Sequence, residues 1–325
     1  MIPVSIITGF LGSGKTTLLN HLVRQPGMAD TAVIVNEFGE IGIDHLLIEQ
    51  AFEDTVLLEN GCICCSIRGD LVDTLTDLCR KVAQGELPPF SRTVVETTGL
   101  ADPAPILQTL MSDERLQRDF ALDRIVTTVD AVNAFGQLED FDEAVKQIAV
   151  ADNLLITKSD LAANRVAALQ GRLRAINALA PVDVIDHGHA DPDVLFSGGK
   201  AERDVGEWRQ HVHDQGHQHD IDSGINSFSI LIDEPLPWTA VKSWLETVAS
   251  LRGADLLRVK GLLNVVGHRG PVVVHGVQHV FHTPVELREW PDAARNTRIV
   301  FITKGLERMA LENALVAFVN QARAA

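Results

Sequence analysis

The fold of this chain is decided by the stretch Ile2-Pro3-Val4-Ser5-Ile6-Ile7-Thr8-Gly9-Phe10-Leu11-Gly12-Ser13-Gly14-Lys15-Thr16. Its first part, Pro3–Thr8, is an apolar, β-branched run that is typical of a buried strand. The second part fits the pattern G-x-x-x-x-G-K-[ST], and residues 17–23 continue with helical spacing, so strand, loop and helix follow in the order that a P-loop requires. Its glycines allow successive backbone N–H groups to surround an anion at a helix N-terminus. The stretch therefore predicts a nucleoside triphosphate site.

Two side chains of the loop have separate expected tasks. Lys15 neutralises the β- and γ-phosphates and stabilises charge in the transition state, and the Thr16 hydroxyl ligates Mg²⁺. A glycine-rich turn that only begins a helix is the alternative, and the complete motif in its strand–helix context argues against it. The nucleotide-binding residues expected in this segment are Gly9, Gly12, Ser13, Gly14, Lys15, Thr16 and Thr17.

Composition excludes several classes of protein. The 325 residues suffice for about two domains, and the 46% hydrophobic and 22% charged residues are typical of a globular protein. A net charge of −16 disfavours nonspecific binding to nucleic acid or anionic lipid. No apolar run approaches the length of a membrane span, and no leader-like segment is recognised. We therefore expect a cytoplasmic protein that binds neither nucleic acid nor membrane.

Strand-like and helix-like runs alternate through residues 1–196, which predicts an α/β domain with a mostly parallel sheet and helices on both faces. Further strands are predicted at Thr31–Val35, Asp54–Leu58, Arg92–Val95, Arg124–Val129, Asn153–Ile156 and Val182–Ile185. Helices are predicted at Asp70–Gln84, Pro103–Met111, Asp142–Val150 and Ala162–Leu179. Ligands of such sheets bind at the carboxyl ends of the strands.

The composition changes after Val184, and a linker is predicted to begin after Phe196. Residues 197–223 form a polar linker whose histidines (His211, His213, His217 and His219) are either a weak metal tether or simply solvated. Residues 224–325 predict a smaller α+β domain with one sheet and helices on one face. Its strands are expected at Ile225–Leu231, Leu256–Val266, Val272–Phe281 and Arg298–Ile302, and its helices at Pro237–Leu251 and Leu306–Val319.

An acidic, glycine-containing loop, residues 36–44, follows the second predicted strand. Beside a P-loop, such a loop is the expected place of a nucleotide-sensing switch. Its carboxylates, Glu37 and Glu40, are candidates to hold a metal or to orient the attacking water. A solvated acidic loop is the alternative.

Three of the four cysteines, Cys62, Cys64 and Cys65, follow the third predicted strand. Thiolates are soft ligands that suit Zn²⁺ or Cu(I). Since no partner C-x-x-C motif exists elsewhere, the site has a coordination position open for exchange. Redox sensing and inert buried cysteines are the alternatives.

An acid ends the fourth predicted strand and is followed by a glycine, as in a Walker B segment and second switch. Glu96 is expected to hold Mg²⁺ through water, and the Gly99 N–H to sense the γ-phosphate. After the sixth strand, Thr157-Lys158-Ser159-Asp160 resembles the guanine-specifying element N-K-x-D. Asp160 would accept from N1–H and N2–H₂ of guanine, and the Lys158 stem would cover the base. Because Thr157 replaces the asparagine, we expect weaker bracing of the loop and a lower nucleotide affinity.

Taken together, these segments resemble the CobW family of P-loop GTPases, which includes zinc chaperones. The matching segments are Gly9–Thr16, Asn36–Glu40, Gly61–Cys65, Glu96–Pro103, Thr157–Asp160 and, in the second domain, Leu257–Gly261. The resemblance implies slow intrinsic hydrolysis of GTP to GDP, dependence on Mg²⁺, and transfer of a metal to a client metalloprotein.

The resemblance also implies a metal site. Zn²⁺, with Co²⁺ and Fe²⁺ left open, would bind Cys62, Cys64 and Cys65, with Glu37 as auxiliary ligand. His187 is a further candidate ligand, although placement on the surface is the alternative, and a metal-dependent homodimer is left open. We expect a metallochaperone in which GTP orders residues 37–44 and thereby changes the cysteine geometry. A zinc buffer with structural nucleotide, a redox-sensing P-loop NTPase and a small-molecule kinase are the alternatives.

Overall fold

The computed structural model describes residues 1–35, 56–57, 63–66, 71–196, 219–220 and 224–324, with backbone alone for 56–57, 63–66 and 219–220. The chain divides into two compact units, Met1–Gln170 with Pro181–Gly198 and Gly171–Ala180 with Gly199–Ala325. The second unit thus includes a short segment, 171–180, from within the first predicted domain. The predicted boundaries at 196 and 223 stay predictions, and most of the histidine-bearing linker lies outside the described residues.

The first unit contains an eight-stranded sheet in the order β3-β4-β2-β5-β1-β6-β7-β8. Its strands are β1 Ile2–Gly9, β2 Thr31–Val35, β3 Val56–Leu57, β4 Ile63–Ser66, β5 Arg92–Glu96, β6 Phe120–Asp130, β7 Asn153–Thr157 and β8 Val182–Val184. All neighbours pair in parallel except β3, which is antiparallel to β4. The prediction of a mostly parallel sheet is confirmed.

Helices cover this sheet on both faces. In chain order they are α1 Lys15–Leu22, α2 Leu71–Ala83, α3 Ala104–Ser112, α4 Leu116–Asp119, α5 Ala134–Asp140, α6 Asp142–Ala149, α7 Val166–Ile176 and α8 Pro192–Phe196. Successive side chains of a strand point to opposite faces, and both Ile6 and Ile7 of β1 are fully buried. On one face, Leu18 and Leu22 of α1 pack in the same cluster as Ile7.

The cysteine segment differs from its prediction. Cys64 and Cys65 lie within strand β4, where they pair in parallel register with Val33 and Ile34 of β2. Sequence reasoning predicts a loop there, after a strand over 54–58. Within the described residues, that strand comprises the two residues of β3. Cysteine behaves as a small hydrophobic residue, so the run Ile63–Ser66 is itself suited to extend the sheet beside β2.

The second unit contains an antiparallel sheet in the order β13-β12-β11-β15-β10-β9, with β14 paired to β12. The strands are β9 His219–Asp220, β10 Ile225–Ile232, β11 Leu256–Leu263, β12 Val272–Val277, β13 Val280–Phe281, β14 Val285–Glu286 and β15 Thr297–Lys304. In the described part of this unit, two helices accompany the strands, α9 Trp238–Arg252 and α10 Arg308–Ala324.

Helices α9 and α10 pack on the same face of this sheet. Trp244 of α9 and Leu315 of α10 share one buried cluster with Phe301 of β15, and the indole meets the Phe301 ring edge-on at a centroid distance of 5.8 Å. The predicted α+β arrangement is confirmed. One predicted strand, Val272–Phe281, is instead a hairpin of β12 and β13, because Gln278 adopts a φ of 51° in the turn.

None of the helices in the described part of the chain combines the length and the apolar character needed to span a bilayer.

Candidate nucleotide and metal site

The P-loop follows β1 in a conformation that requires glycine. Gly9 has a φ of 140°, and a Cβ there would lie 2.4 Å from the Thr128 carbonyl oxygen and 2.7 Å from Ser13 Oγ. Gly14, with a φ of 91°, is the left-handed N-cap of α1. The predicted strand–loop–helix unit is confirmed.

Lys15 lies across the loop it belongs to. Its ammonium group donates to the backbone oxygens of Gly9 at 2.9 Å and Phe10 at 3.2 Å, and the side chain is buried. Burial lowers the pKa of Lys15, while the carboxylate of Glu96 acts in the opposite direction. A desolvated ammonium that donates to two backbone carbonyl oxygens is suited to take a phosphate as its counter-charge.

The sheet brings Thr16 and Glu96 together. Because β5 runs parallel to β1, Glu96 lies opposite Ile7, and Thr16 Oγ1 donates to Glu96 Oε1 at 3.0 Å. A hydroxyl and a carboxylate are the oxygen ligands that Mg²⁺ prefers. The donor set at this point therefore fits the Mg²⁺ ion that P-loop chemistry requires.

The segment after Glu96 is held by α6. A Cβ on Gly99 would lie 2.7 Å from the backbone nitrogen of Leu11, so this segment packs directly against the P-loop. The Gln147 amide donates to the carbonyl oxygens of Gly99 at 3.1 Å and Ala101 at 3.0 Å.

An ion pair adds a further contact between these two elements, from Lys146 Nζ to Asp102 Oδ2 at 2.7 Å. Sequence reasoning missed Gln147. The available signal is a glutamine within a predicted amphipathic helix, at a position that the structure shows to be buried.

Thr157 braces the P-loop. Its hydroxyl lies 2.8 Å from the backbone oxygen of Ser13 and 3.2 Å from that of Val129, both acceptors. We expected threonine, in place of asparagine, to brace this loop less well. In the structure, the threonine itself makes the bracing contact. Asp160, the predicted guanine ligand, lies exposed in the turn that follows β7.

Asp130, at the carboxyl end of β6, is a second residue that sequence reasoning missed. It accepts hydrogen bonds from Lys158 Nζ, Asn133 Nδ2 and the Val132 N–H, each at 2.8 Å. Burial alone would raise the pKa of Asp130, but these three hydrogen bonds together hold it below its ordinary value. Lys158, at a φ of 54°, is therefore positioned by a buried carboxylate. The available signal was an acid directly after a predicted strand.

The structure describes several of the remaining predicted residues in part or not at all. Glu37, Glu40 and Cys62 lie outside the described residues, and of Cys64 and Cys65 the structure describes the backbone in β4. Their part in a metal site stays a prediction.

His187 and Thr17 are both exposed. The His187 ring lies 3.6 Å from the carboxylate of Asp186, itself exposed. Within the described ranges, no group of three or more histidine, cysteine or acidic side chains is arranged to hold a metal.

Known proteins resemble this chain over both units. The model of the CobW/HypB/UreG nucleotide-binding domain matches residues 3–183, and that of the cobalamin synthesis protein cobW C-terminal domain matches residues 225–319. The zinc chaperone YjiA of Escherichia coli (strain K12) is 38% identical over 93% of each chain. The zinc chaperone CobW of Pseudomonas aeruginosa is 30% identical over 97% of this chain and 90% of its own.

Among solved structures, the Zn(II)-bound YjiA GTPase from E. coli matches with a TM-score of 0.76 and 32% identity over 98% of both chains. The similarity in fold and in sequence thus extends over nearly the whole length of the chain. The chain belongs to the CobW/HypB/UreG family.

Proposed function

We propose that this chain is a GTP-hydrolysing zinc chaperone that binds Zn²⁺ through Cys62, Cys64 and Cys65 and delivers it to a client metalloprotein in the cytoplasm. The observation that carries the proposal is the register of three adjacent strands. Val35 of β2 lies between Ser66 of the cysteine strand β4 and Glu96 of β5. Two strand spacings separate β4 from β5, about 10 Å. The cysteine strand and the nucleotide site are thus joined through β2.

Membership of this family supports GTP hydrolysis as the activity. Residues of this chain have the chemistry that the reaction requires. Lys15 offers a desolvated positive charge to the phosphates. Thr16 and Glu96 are the residues that would hold Mg²⁺, which neutralises phosphate charge when bound. Thr157 fixes the P-loop relative to the base-binding turn. A carboxylate of the proposed switch after β2, Glu37 or Glu40, positions the attacking water.

Coupling between nucleotide binding and metal binding is supported by the segment that follows β2. Residues 36–44, the proposed switch, continue directly from β2, and β2 is also the strand on which Cys64 and Cys65 are registered. The proposed switch, ordered by GTP and released by hydrolysis, is therefore covalently continuous with β2, the strand beside the cysteine strand β4. Hydrolysis would change the affinity for zinc and make its release directional.

The deciding experiment is a zinc titration of the metal-free protein against a chromophoric chelator, with Mg²⁺ and either GDP or a non-hydrolysable GTP analogue. We expect different zinc affinities in the two nucleotide states. The difference should vanish in a variant with serine at 62, 64 and 65 and persist in Cys79→Ser, which removes a thiol from α2. Coinciding titration curves for the two nucleotides in the unaltered protein would contradict the proposal and favour a zinc buffer.

Homodimer formation is tested separately by sedimentation with and without zinc. If zinc bridges two copies through the cysteines, the dimer should form at one zinc ion or fewer per chain and be absent in the serine variant. A monomer at every zinc concentration would exclude this part of the proposal while leaving delivery of the metal intact.

A further inference from the structure

Two histidines outside the nucleotide site lie ring to ring. His21, in the last turn of α1, and His189, between β8 and α8, have ring centroids 4.1 Å apart with the planes inclined by 48°. His189 is exposed and His21 is partly so. Both rings are thus within reach of solvent, and neither has a task in nucleotide binding.

The loop that carries His189 is fastened to α1. Gln25 Nε2 donates to the Ala190 carbonyl oxygen at 2.8 Å. Gly188, at a φ of 77°, approaches α1 so closely that a Cβ there would lie 2.9 Å from the Thr17 backbone oxygen. The separation of the two rings is therefore set by backbone contacts on both sides of His189.

The hydrogen bonding of His189 leaves one nitrogen for a ligand. Its Nδ1 lies 2.9 Å from the backbone oxygen of Asp186, and because a carbonyl only accepts, Nδ1 must carry the hydrogen. The lone pair is then on Nε2. An imidazole that donates its other N–H to a backbone carbonyl is the usual arrangement of metal-binding histidines, since that bond fixes the tautomer and the ring orientation.

We propose that His21 and His189 form a second metal site, open to solvent, for a divalent transition ion such as Zn²⁺, Co²⁺, Ni²⁺ or Cu²⁺. Within the described residues no third protein ligand joins them, so water completes the coordination shell. Two imidazoles with exchangeable waters make a site that takes up and releases its ion readily. Since α1 begins at Lys15, the site lies roughly 9 Å along the helix axis from the phosphate-binding lysine, at 1.5 Å per residue.

This site does not depend on the cysteines, and the test separates the two. The background is the full-length chain carrying serine at 62, 64 and 65 and glutamine at 211, 213, 217 and 219, which removes every other proposed metal ligand except His187 and the carboxylates. Zinc is then titrated into this protein by isothermal calorimetry. We expect one remaining site per chain, and its affinity should fall by about tenfold or more in either His21→Ala or His189→Ala.

The control is His268→Ala, which removes an exposed histidine of the second unit that contacts Glu286. It should leave zinc binding unchanged. His21→Gln preserves a polar side chain on α1 should the alanine variant unfold, and thermal melting without metal shows whether the variants are folded.

A direct readout comes from the imidazole C–H resonances of the same background protein. Substoichiometric Cu²⁺ should broaden the signals of His21 and His189 together, before that of His268. Zinc affinity that is equal in the background, His21→Ala and His189→Ala proteins would overturn the proposal, as would broadening of His268 at the same Cu²⁺ concentration. Neither result bears on the nucleotide dependence of the cysteine site, which this background lacks.

Discussion

The hydroxyl of Thr157 donates to the backbone oxygen of Ser13 across a distance of 2.8 Å, which joins the end of β7 to the P-loop. The same side chain lies beside Gly14 of the P-loop, where an added Cβ would lie 3.5 Å from Thr157 Cγ2. One threonine thus fixes the phosphate-binding loop relative to the turn that carries Lys158 and Asp160. Affinity for the base and affinity for the phosphates are therefore expected to change together at this position.

Thr157→Val should weaken binding of both GDP and GTP. Valine has nearly the same shape but cannot donate, so a buried carbonyl oxygen loses a partner at a cost of about 1 kcal/mol, or roughly fivefold in affinity. Fluorescence titration with a labelled guanine nucleotide measures the change. Thr157→Ser retains the hydroxyl and should bind as the unaltered protein does. Equal affinities for the valine and serine variants would show that the hydrogen bond is not used.

Gln147→Leu should slow hydrolysis more than it weakens nucleotide binding. The leucine removes both hydrogen bonds to the Gly99 and Ala101 carbonyl oxygens, and a loss of about 1.4 kcal/mol in positioning corresponds to about tenfold in kcat. Steady-state GTP hydrolysis gives kcat and KM separately.

The matched control for this glutamine is Gln137→Leu, at a half-buried position whose amide lies 3.4 Å from the Leu11 oxygen. We expect its kcat to be unchanged. If both leucine variants lose activity equally, or if Gln147→Leu changes KM alone, Gln147 does not position this segment for the reaction.

Binding of GDP should be coupled to proton uptake at alkaline pH. Burial lowers the pKa of Lys15 in the nucleotide-free protein from its ordinary value of 10.5, and phosphate oxygens would raise it again. Above the lowered pKa the free protein carries a neutral Lys15, so affinity should fall as pH rises through that value. Calorimetry in buffers of different ionisation enthalpy counts the protons. An affinity that is flat between neutral pH and pH 10, without proton exchange, would refute this coupling.

Asp130→Asn should destabilise the first unit at pH 7 by about 1–3 kcal/mol, because a buried carboxylate that accepts three hydrogen bonds is replaced by an amide. The pKa of Asp130 is held below its ordinary value in the folded protein. The stabilisation is therefore fully present above the unfolded pKa, about 4, and is lost as pH falls through the folded pKa. Thermal melting between pH 3 and 7 tests the sign.

The stability control is Asp160→Asn, which changes an exposed acid in the nucleotide-free protein and should melt with the unaltered chain at every pH. A stability difference for Asp130→Asn that grows on acidification would have the wrong sign for a carboxylate with a lowered pKa.

Sequence by itself determined the features that depend on neighbouring residues. The P-loop over Gly9–Thr16 is recognisable because its glycines, its lysine and its threonine are adjacent in the chain, and the left-handed φ at Gly14 is a local requirement. The alternation of apolar strands and amphipathic helices predicts a parallel sheet for the same reason. The motifs also assigned Thr16 and Glu96 separately to Mg²⁺, but the hydrogen bond between them is a finding of the structure, set by the pairing of β1 with β5.

Only the tertiary structure decided which distant residues meet. Thr157 and Ser13 are separated by 144 positions, and Gln147 touches Gly99 because α6 folds back over the end of β5. Likewise, the thiol-bearing run Ile63–Ser66 became a strand because β2 offered it a parallel neighbour. His21 and His189 meet because the loop after β8 packs on α1. These contacts depend on strand order and helix packing, and neither periodicity nor spacing along the chain records them.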